Sequence, residues 1–160
     1  ELNTGALGHG LPVAVGLALA AKKSNSTRRI FLITGDGELA EGSNWEAALA
    51  AAHYGLDNLI IINDKNNLQL AGPTREIMNT DPLADKWRAF GMAVSECEGN
   101  DMASLVAAIE GLKQEGKPNV IIANTTKGAG ISFIQGRPEW HHRVPKGEEI
   151  ALALEELKDE

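Results

Sequence analysis

Short apolar, strand-like runs alternate with helix-length segments along this chain, and that alternation is what most constrains its fold. Residues 11–22 read as a helix, with Pro12 in the first turn, where its missing N–H costs nothing. Residues 29–34, Arg-Ile-Phe-Leu-Ile-Thr, form a β-branched run and predict a strand. Residues 43–53 predict a helix with Trp45, Ala48, Leu49 and Ala52 on one face. Residues 59–63, Leu-Ile-Ile-Ile-Asn, are apolar without alternation, as a strand covered on both faces should be. A loop over 66–75 follows, then a helix over 82–90 and a strand over 92–96. Asp101 is placed to cap a helix bearing Met102, Leu105, Val106, Ile109 and Leu112 at helical spacing. A fourth strand over 120–124, a Gly-rich stretch over 125–147 and a last helix over 148–157 complete the pattern. Strands separated by helices pair in parallel through right-handed crossovers. The expected fold is a single α/β domain over 1–160, a doubly wound parallel sheet with helices on both faces.

Composition narrows the function classes. The 160 residues are 43% hydrophobic and 23% charged, with a net charge of −7, so general nucleic-acid binding is not expected. No apolar run reaches the roughly 18 residues of a membrane span. The longest, over 11–21, is interrupted by Gly16 and reads as a buried helix. The opening Glu1-Leu2-Asn3 has neither a basic, apolar leader nor an initiator Met, and is expected to be a cut or a disordered boundary. One cysteine, Cys97, cannot form an internal disulfide; a small core role and a reducing, cytoplasmic setting are expected. The acidic end over 155–160 reads as a solvated helix face.

Doubly wound sheets bind ligands beyond the carboxyl ends of their strands. Thr34-Gly35-Asp36-Gly37 presents a carboxylate in a glycine turn at that edge, and Asn63-Asp64-Lys65-Asn66-Asn67 follows the next strand. Each alone is also an ordinary polar turn. Together they bring a carboxylate, Asp36, and an amide oxygen, Asn66, to one crevice. Such hard oxygen donors suit Mg²⁺, which takes one or two protein ligands and completes its shell with phosphate and water. The glycine turn and the helix from Ser43 can offer N–H groups to the same phosphates.

Several segments in order resemble the thiamine diphosphate signature of transketolases: Gly35-Asp36-Gly37, Glu41-Gly42-Ser43-Asn44-Trp45-Glu46-Ala47, Asp57-Asn58-Leu59-Ile60 and Asp64-Lys65-Asn66. Gly5-Ala6-Leu7-Gly8-His9-Gly10 is similar to the family's Gly-x-Leu-Gly-x-Gly segment, and Lys127-Gly128-Ala129-Gly130 with Trp140-His141 to its later active-site loop. The similarity runs over nearly the whole chain and is strongest to split transketolases, in which two polypeptides share the work. It implies a thiamine diphosphate-binding fold, with the cofactor held through Mg²⁺ or a substitute such as Ca²⁺ or Mn²⁺. Asp36 and Asn66 would ligate the metal by side chain and Leu68 by its carbonyl. Gly35 and Gly37 would bring backbone to the diphosphate, and Leu7 and Leu70 would pack on the cofactor rings. Lys127 and His141 would lie at the cofactor, with His141 able to move protons. Glu41 would join a carboxylate network across a subunit interface. His142 stands where the family usually has glycine.

The reaction implied is transfer of a two-carbon ketol unit from a ketose phosphate to an aldose phosphate. The branched pentose apulose 4-phosphate is one substrate used by some split transketolases. The pyrimidine-activating glutamate of the family sits on a separate domain, so a pyrimidine-binding partner and further dimerisation are expected, with no activity from this chain alone. Rival readings are another thiamine diphosphate enzyme, such as a 2-oxoacid dehydrogenase component or a deoxyxylulose phosphate synthase, and a non-catalytic cofactor-binding module. Pro138-Glu139-Trp140-His141 favours transketolase. Neither a P-loop nor a Gly-x-Gly-x-x-Gly dinucleotide motif is present. Ser43 with Glu46 fits a helix capping box, which assigns Glu46 to structure.

Overall fold

The alternation folds as the pattern requires. The computed structural model describes residues 2–70 and 72–159, so Glu1, Ala71 and Glu160 lie outside the described residues. In chain order the elements are α1 (Gly10–Lys23), β1 (Ile30–Gly35), α2 (Gly42–His53), β2 (Leu59–Lys65), β3 (Leu68–Gln69), β4 (Gly72–Pro73), α3 (Thr74–Ile77), α4 (Leu83–Ala89), β5 (Ala93–Glu98), α5 (Met102–Glu110), β6 (Asn119–Asn124) and α6 (Glu148–Glu156). The four long strands form one sheet in the order β1-β2-β6-β5, every pair parallel. Each crossover carries a helix, which parallel pairing demands. No helix among the described residues is long and apolar enough to cross a membrane.

The two faces of the sheet are unequal. On one, Leu59 and Ile61 of β2 and Val120 and Ile122 of β6 pack with α1, α2 and α4 into the main core. Trp45 seals that layer against Trp87 and Phe90, with ring centroids 5.0 and 5.2 Å apart. On the other, Ile60, Ile121, Cys97 and Ala123 are covered by Leu105, Ala108 and Ile109 of α5 together with Leu112. Cys97 is thus the small core residue expected. The α5 cover stops short of β1, where Phe31 is half-exposed and Ile33 is 73% exposed.

Two helix readings need correction. The buried residues of α2 are Asn44, Ala47, Ala48 and Ala51, whereas Leu49 is 60% exposed. Trp45 and Ala48 do face the core, and the residue misplaced is Leu49. The buried face also takes in Asn44, which is polar yet buried and donates its amide to the Glu38 carbonyl at 2.8 Å. An apolarity pattern in an alanine-rich helix cannot find such a residue. The capping box is also absent. Glu41 is the N-cap residue of α2, and the Ser43 hydroxyl instead donates to the carbonyl of Gly8 at 2.7 Å, 35 residues away. Glu46 is exposed. The Asp101 cap is as expected, accepting from the Ala103 N–H at 2.9 Å.

Register sets up the site. Thr34 lies level with Asn63, Gly35 with Asp64, and Lys65 with Asn124. The segments beginning at Asp36, Asn66 and Thr125 therefore leave the sheet side by side. The 66–75 stretch, read as a loop, holds the antiparallel β3–β4 hairpin, with Leu68 opposite Pro73 and Gln69 opposite Gly72.

Candidate functional site

Asp36 follows the last residue of β1, and its N–H donates to the Asp64 carbonyl at 3.0 Å, tying the ends of β1 and β2 together. Its carboxylate is only 2% exposed. One oxygen accepts from the Gly37 N–H at 2.8 Å and the other from the Asn67 N–H at 2.7 Å. Burial nevertheless pushes the Asp36 carboxyl above the usual aspartate range. Those two N–H bonds and Lys65 pull it back, and the Asp64 charge pushes it up further. A dry carboxylate whose charge is under-compensated is a natural cation ligand.

The neighbouring loop is richer in oxygen than in charge. The Asn66 amide oxygen accepts from the Leu68 N–H at 2.9 Å, while its nitrogen donates to Asp64 at 3.2 Å. Asp64 also accepts from the Thr125 hydroxyl, which links the β6 exit to the same cluster. Among the described residues no three His, Cys, Asp or Glu side chains gather into a metal cluster. A divalent ion held by Asp36, Asn66 and the Leu68 carbonyl would rely on phosphate and water for the rest of its shell, as Mg²⁺ does. Gly37 is packed so closely on the hairpin that a Cβ there would lie 2.9 Å from the Gln69 side chain. The Gln69 amide oxygen is buried without a hydrogen-bond partner. The oxygen donor set fits a metal-bound diphosphate, whereas Gly37 is held to glycine by the hairpin packed on it.

The other sequence-predicted residues gather on the same edge but are more open. Leu7, in the turn before α1, is 49% exposed, and Leu70, at the hairpin tip with φ of +50°, is 50% exposed. Lys127 lines a shallow cavity of about 340 Å³ with Asn66, Leu68, Arg75 and Thr125. His141 is exposed at the end of a short 3-10 turn, Pro138–His141, whose Trp140 is buried against Phe133. Desolvation lowers the His141 pKa first, then the nearby Lys127 ammonium, then His142, so its neutral form is favoured. His142 itself has φ of −118°, ordinary backbone for a side chain, so glycine is not required there. Glu41 is exposed, and its Cβ borders the Gly8 turn.

All of the predicted residues therefore belong to one edge. Sequence reasoning missed Glu38, which accepts from the Gly8 N–H and the Thr34 hydroxyl, each at 3.0 Å, and it missed the Ser43 contact to Gly8. Only the acidic character of Gly35–Ser43, with Asp36, Glu38 and Glu41, hinted at the first of these.

A buried carboxylate, a glycine turn and an adjacent Asp-Lys-Asn loop thus stand together at the carboxyl edge of an α/β sheet, the edge at which such sheets bind ligands. A family model described as transketolase, thiamine diphosphate binding domain matches residues 1–158, and the chain belongs to that family. Over all of its length it is 74% identical to one subunit of the apulose-4-phosphate transketolase of Actinobacillus succinogenes, covering 58% of that protein. Identity to 6-deoxy-6-sulfo-D-fructose transketolase subunit SqwG of a Clostridium species is 42%, again over the whole chain and 58% of the relative. The chain thus spans somewhat over half the length of these relatives. Among solved structures, transketolase from Campylobacter jejuni superposes with a TM-score of 0.89 at 34% identity, over 95% of this chain and 25% of that one.

Proposed function

We propose that this chain is the diphosphate-holding part of a split transketolase, which moves a two-carbon ketol unit from a ketose phosphate to an aldose phosphate. The observation that carries this reading is the dry Asp36 carboxylate, fixed between the N–H groups of Gly37 and Asn67. Asp36 and Asn66 hold Mg²⁺ by side-chain oxygen and Leu68 by its carbonyl; Gly35, with open space where a Cβ would stand, and the Gly37 turn beside it offer backbone to the diphosphate. Leu7 and Leu70 flank the cofactor rings. When bound, thiamine diphosphate supplies the nucleophilic carbon and the electron sink for cleaving the ketose.

This chain's own residues then bind and move protons. Neutral His141 accepts a proton from a sugar hydroxyl. The Lys127 ammonium holds negative charge at the diphosphate. Glu41, exposed beside the Gly8 turn, extends toward a partner subunit to join a carboxylate network. The half-exposed Leu7 and Leu70 form one wall, and a pyrimidine-binding subunit carrying the activating glutamate supplies the other. Two such pairs dimerise. The lone buried thiol of Cys97 suits a cytoplasmic setting.

For substrate, the relative at 74% identity is named for apulose 4-phosphate, which supports that sugar phosphate here. The test is a ketol-transfer assay of the full-length gene product paired with its neighbouring subunit. The ketoses offered, with Mg²⁺ and cofactor, would be apulose 4-phosphate, common ketose phosphates and 6-deoxy-6-sulfo-fructose. Preferential turnover of apulose 4-phosphate is expected. Turnover of the sulfosugar alone would overturn the substrate, and no transfer from any ketose would overturn the activity.

A further inference from the structure

Glu38 sits one residue past the Asp36-Gly37 turn, and its backbone is fixed: its carbonyl accepts from the buried amide of Asn44 at 2.8 Å. The carboxylate is therefore held in place, and its two oxygens reach different elements. One accepts from the hydroxyl of Thr34 on β1, the other from the N–H of Gly8 in the turn that carries Leu7, each at 3.0 Å. From the opposite side the Ser43 hydroxyl donates to the Gly8 carbonyl at 2.7 Å. Both polar groups of Gly8 are thus gripped by the 38–43 segment. Only glycine fits, because φ is +80° and a Cβ would lie 2.5 Å from the Ser43 oxygen. Among the described residues, the remaining hydrogen bonds of this turn are local, His9 to Ala6 and Leu7 and Ala6 to Thr4.

We propose that Glu38 is a positioning residue that couples the metal-binding turn to the hydrophobic wall built by Leu7, so that the diphosphate end and the ring end of the cofactor are held in fixed relation. The inference rests on the thiamine diphosphate reading above. Its logic is mechanical. The Leu7 side chain is half-exposed and has little packing of its own to hold it. Its position is set by the next residue's backbone, and that backbone is set by Glu38 and Ser43. Without the carboxylate, the Gly8 N–H loses its partner and the turn loosens. The Asp36–Asn67 contacts do not pass through Glu38 and stay as they are.

The test is calorimetric titration of the full-length protein, assembled with its partner subunit, with two probes: thiamine diphosphate plus Mg²⁺, and inorganic diphosphate plus Mg²⁺. Glu38→Ala should weaken thiamine diphosphate about tenfold and diphosphate by less than about twofold, the loss expected of one charge-assisted hydrogen bond acting only on the ring end. Leu7→Ala should show the same selectivity, and the double variant should be hardly weaker than Leu7→Ala alone, since both act through one contact. Glu38→Gln keeps an acceptor for the Gly8 N–H and should restore affinity to within about threefold of wild type. Equal loss for both probes, or additive losses in the double variant, would overturn the coupling. Should Glu38→Ala fail to fold, Ser43→Ala releases the same glycine from its other side; unchanged thiamine diphosphate affinity in that variant would equally overturn it. A wild-type assembly that ignores thiamine diphosphate sinks the cofactor reading itself, and the clamp with it.

Discussion

The Asp36 turn and the surface presented by Leu7 and Leu70 lie on the same sheet edge but are built in opposite ways. Asp36 is buried, and both of its oxygens are bonded to backbone N–H groups of two different loops. Leu7 and Leu70 are half-exposed, and Ile77 and Met78 beyond the hairpin are open to solvent too. The first region is organised by what the chain itself folds into. The second presents apolar surface that this chain leaves uncovered, as interaction surfaces do. The contrast teaches that the turn proposed to hold the metal is preorganised here, while the wall proposed to face the rings is open.

The comparison can be broken most severely at the open wall. The full-length protein without its partner should bind Mg²⁺ and diphosphate yet lose ketol transfer by about a thousandfold or more, since a whole proton-transfer group is missing. A coupled-enzyme assay reads this directly, and near-normal turnover would show the wall to be complete. Next in size, Asp36→Ala should weaken Mg²⁺-dependent thiamine diphosphate binding about a hundredfold in the assembled enzyme, while circular dichroism shows the fold retained. Leu70→Ala should cost about tenfold in cofactor affinity, the worth of one leucine contact, and leave the Mg²⁺ requirement untouched.

Two smaller effects concern protons. The proposed ligation needs Asp36 ionised, and burial raises its pKa above the ordinary 3.8. Cofactor affinity should thus be complete above that raised value and fall as pH drops through it, at a higher pH than an exposed aspartate would give. Titrations at a series of acidic pH values measure this, and Asp36→Ala should flatten the dependence. The smallest effect belongs to His141, whose midpoint should lie below 6.5 by NMR titration. Lys127→Met removes one of the causes of that depression, so the midpoint should move part of the way back up.

What the sequence revealed, and what it hid, follows the range of the interactions. The strands were legible because runs such as Leu-Ile-Ile-Ile are apolar on both faces, and the Asp101 cap because its partner is two residues away. The meeting of Asp36 with the Asn66 loop followed from parallel strands ending level. Glu38 stayed hidden because its target is the Gly8 N–H, 30 residues distant, and no local pattern encodes that contact. Ser43 was misread for the same reason: a capping rule assigned its hydroxyl to its own helix, and the fold directs it to Gly8. On α2 Trp45 and Ala48 were legible, but Asn44 was not, because it is buried with a hydrogen bond and not through apolarity. The incomplete cover over Phe31 and Ile33 was invisible too, since an apolar strand reads the same whether or not a helix reaches it.

The central claim is that Asp36 and the Asn66–Leu68 loop hold one divalent ion for the diphosphate. Its most direct test is a crystal structure of the assembled enzyme grown with thiamine diphosphate and Mn²⁺, with the ion located by its anomalous scattering. One peak is expected within oxygen-bonding distance, about 2.1 Å, of the Asp36 carboxylate, the Asn66 amide oxygen and the Leu68 carbonyl, with diphosphate oxygens completing the shell. A cofactor bound with its ion elsewhere, or with these three oxygens turned away from it, would contradict that claim.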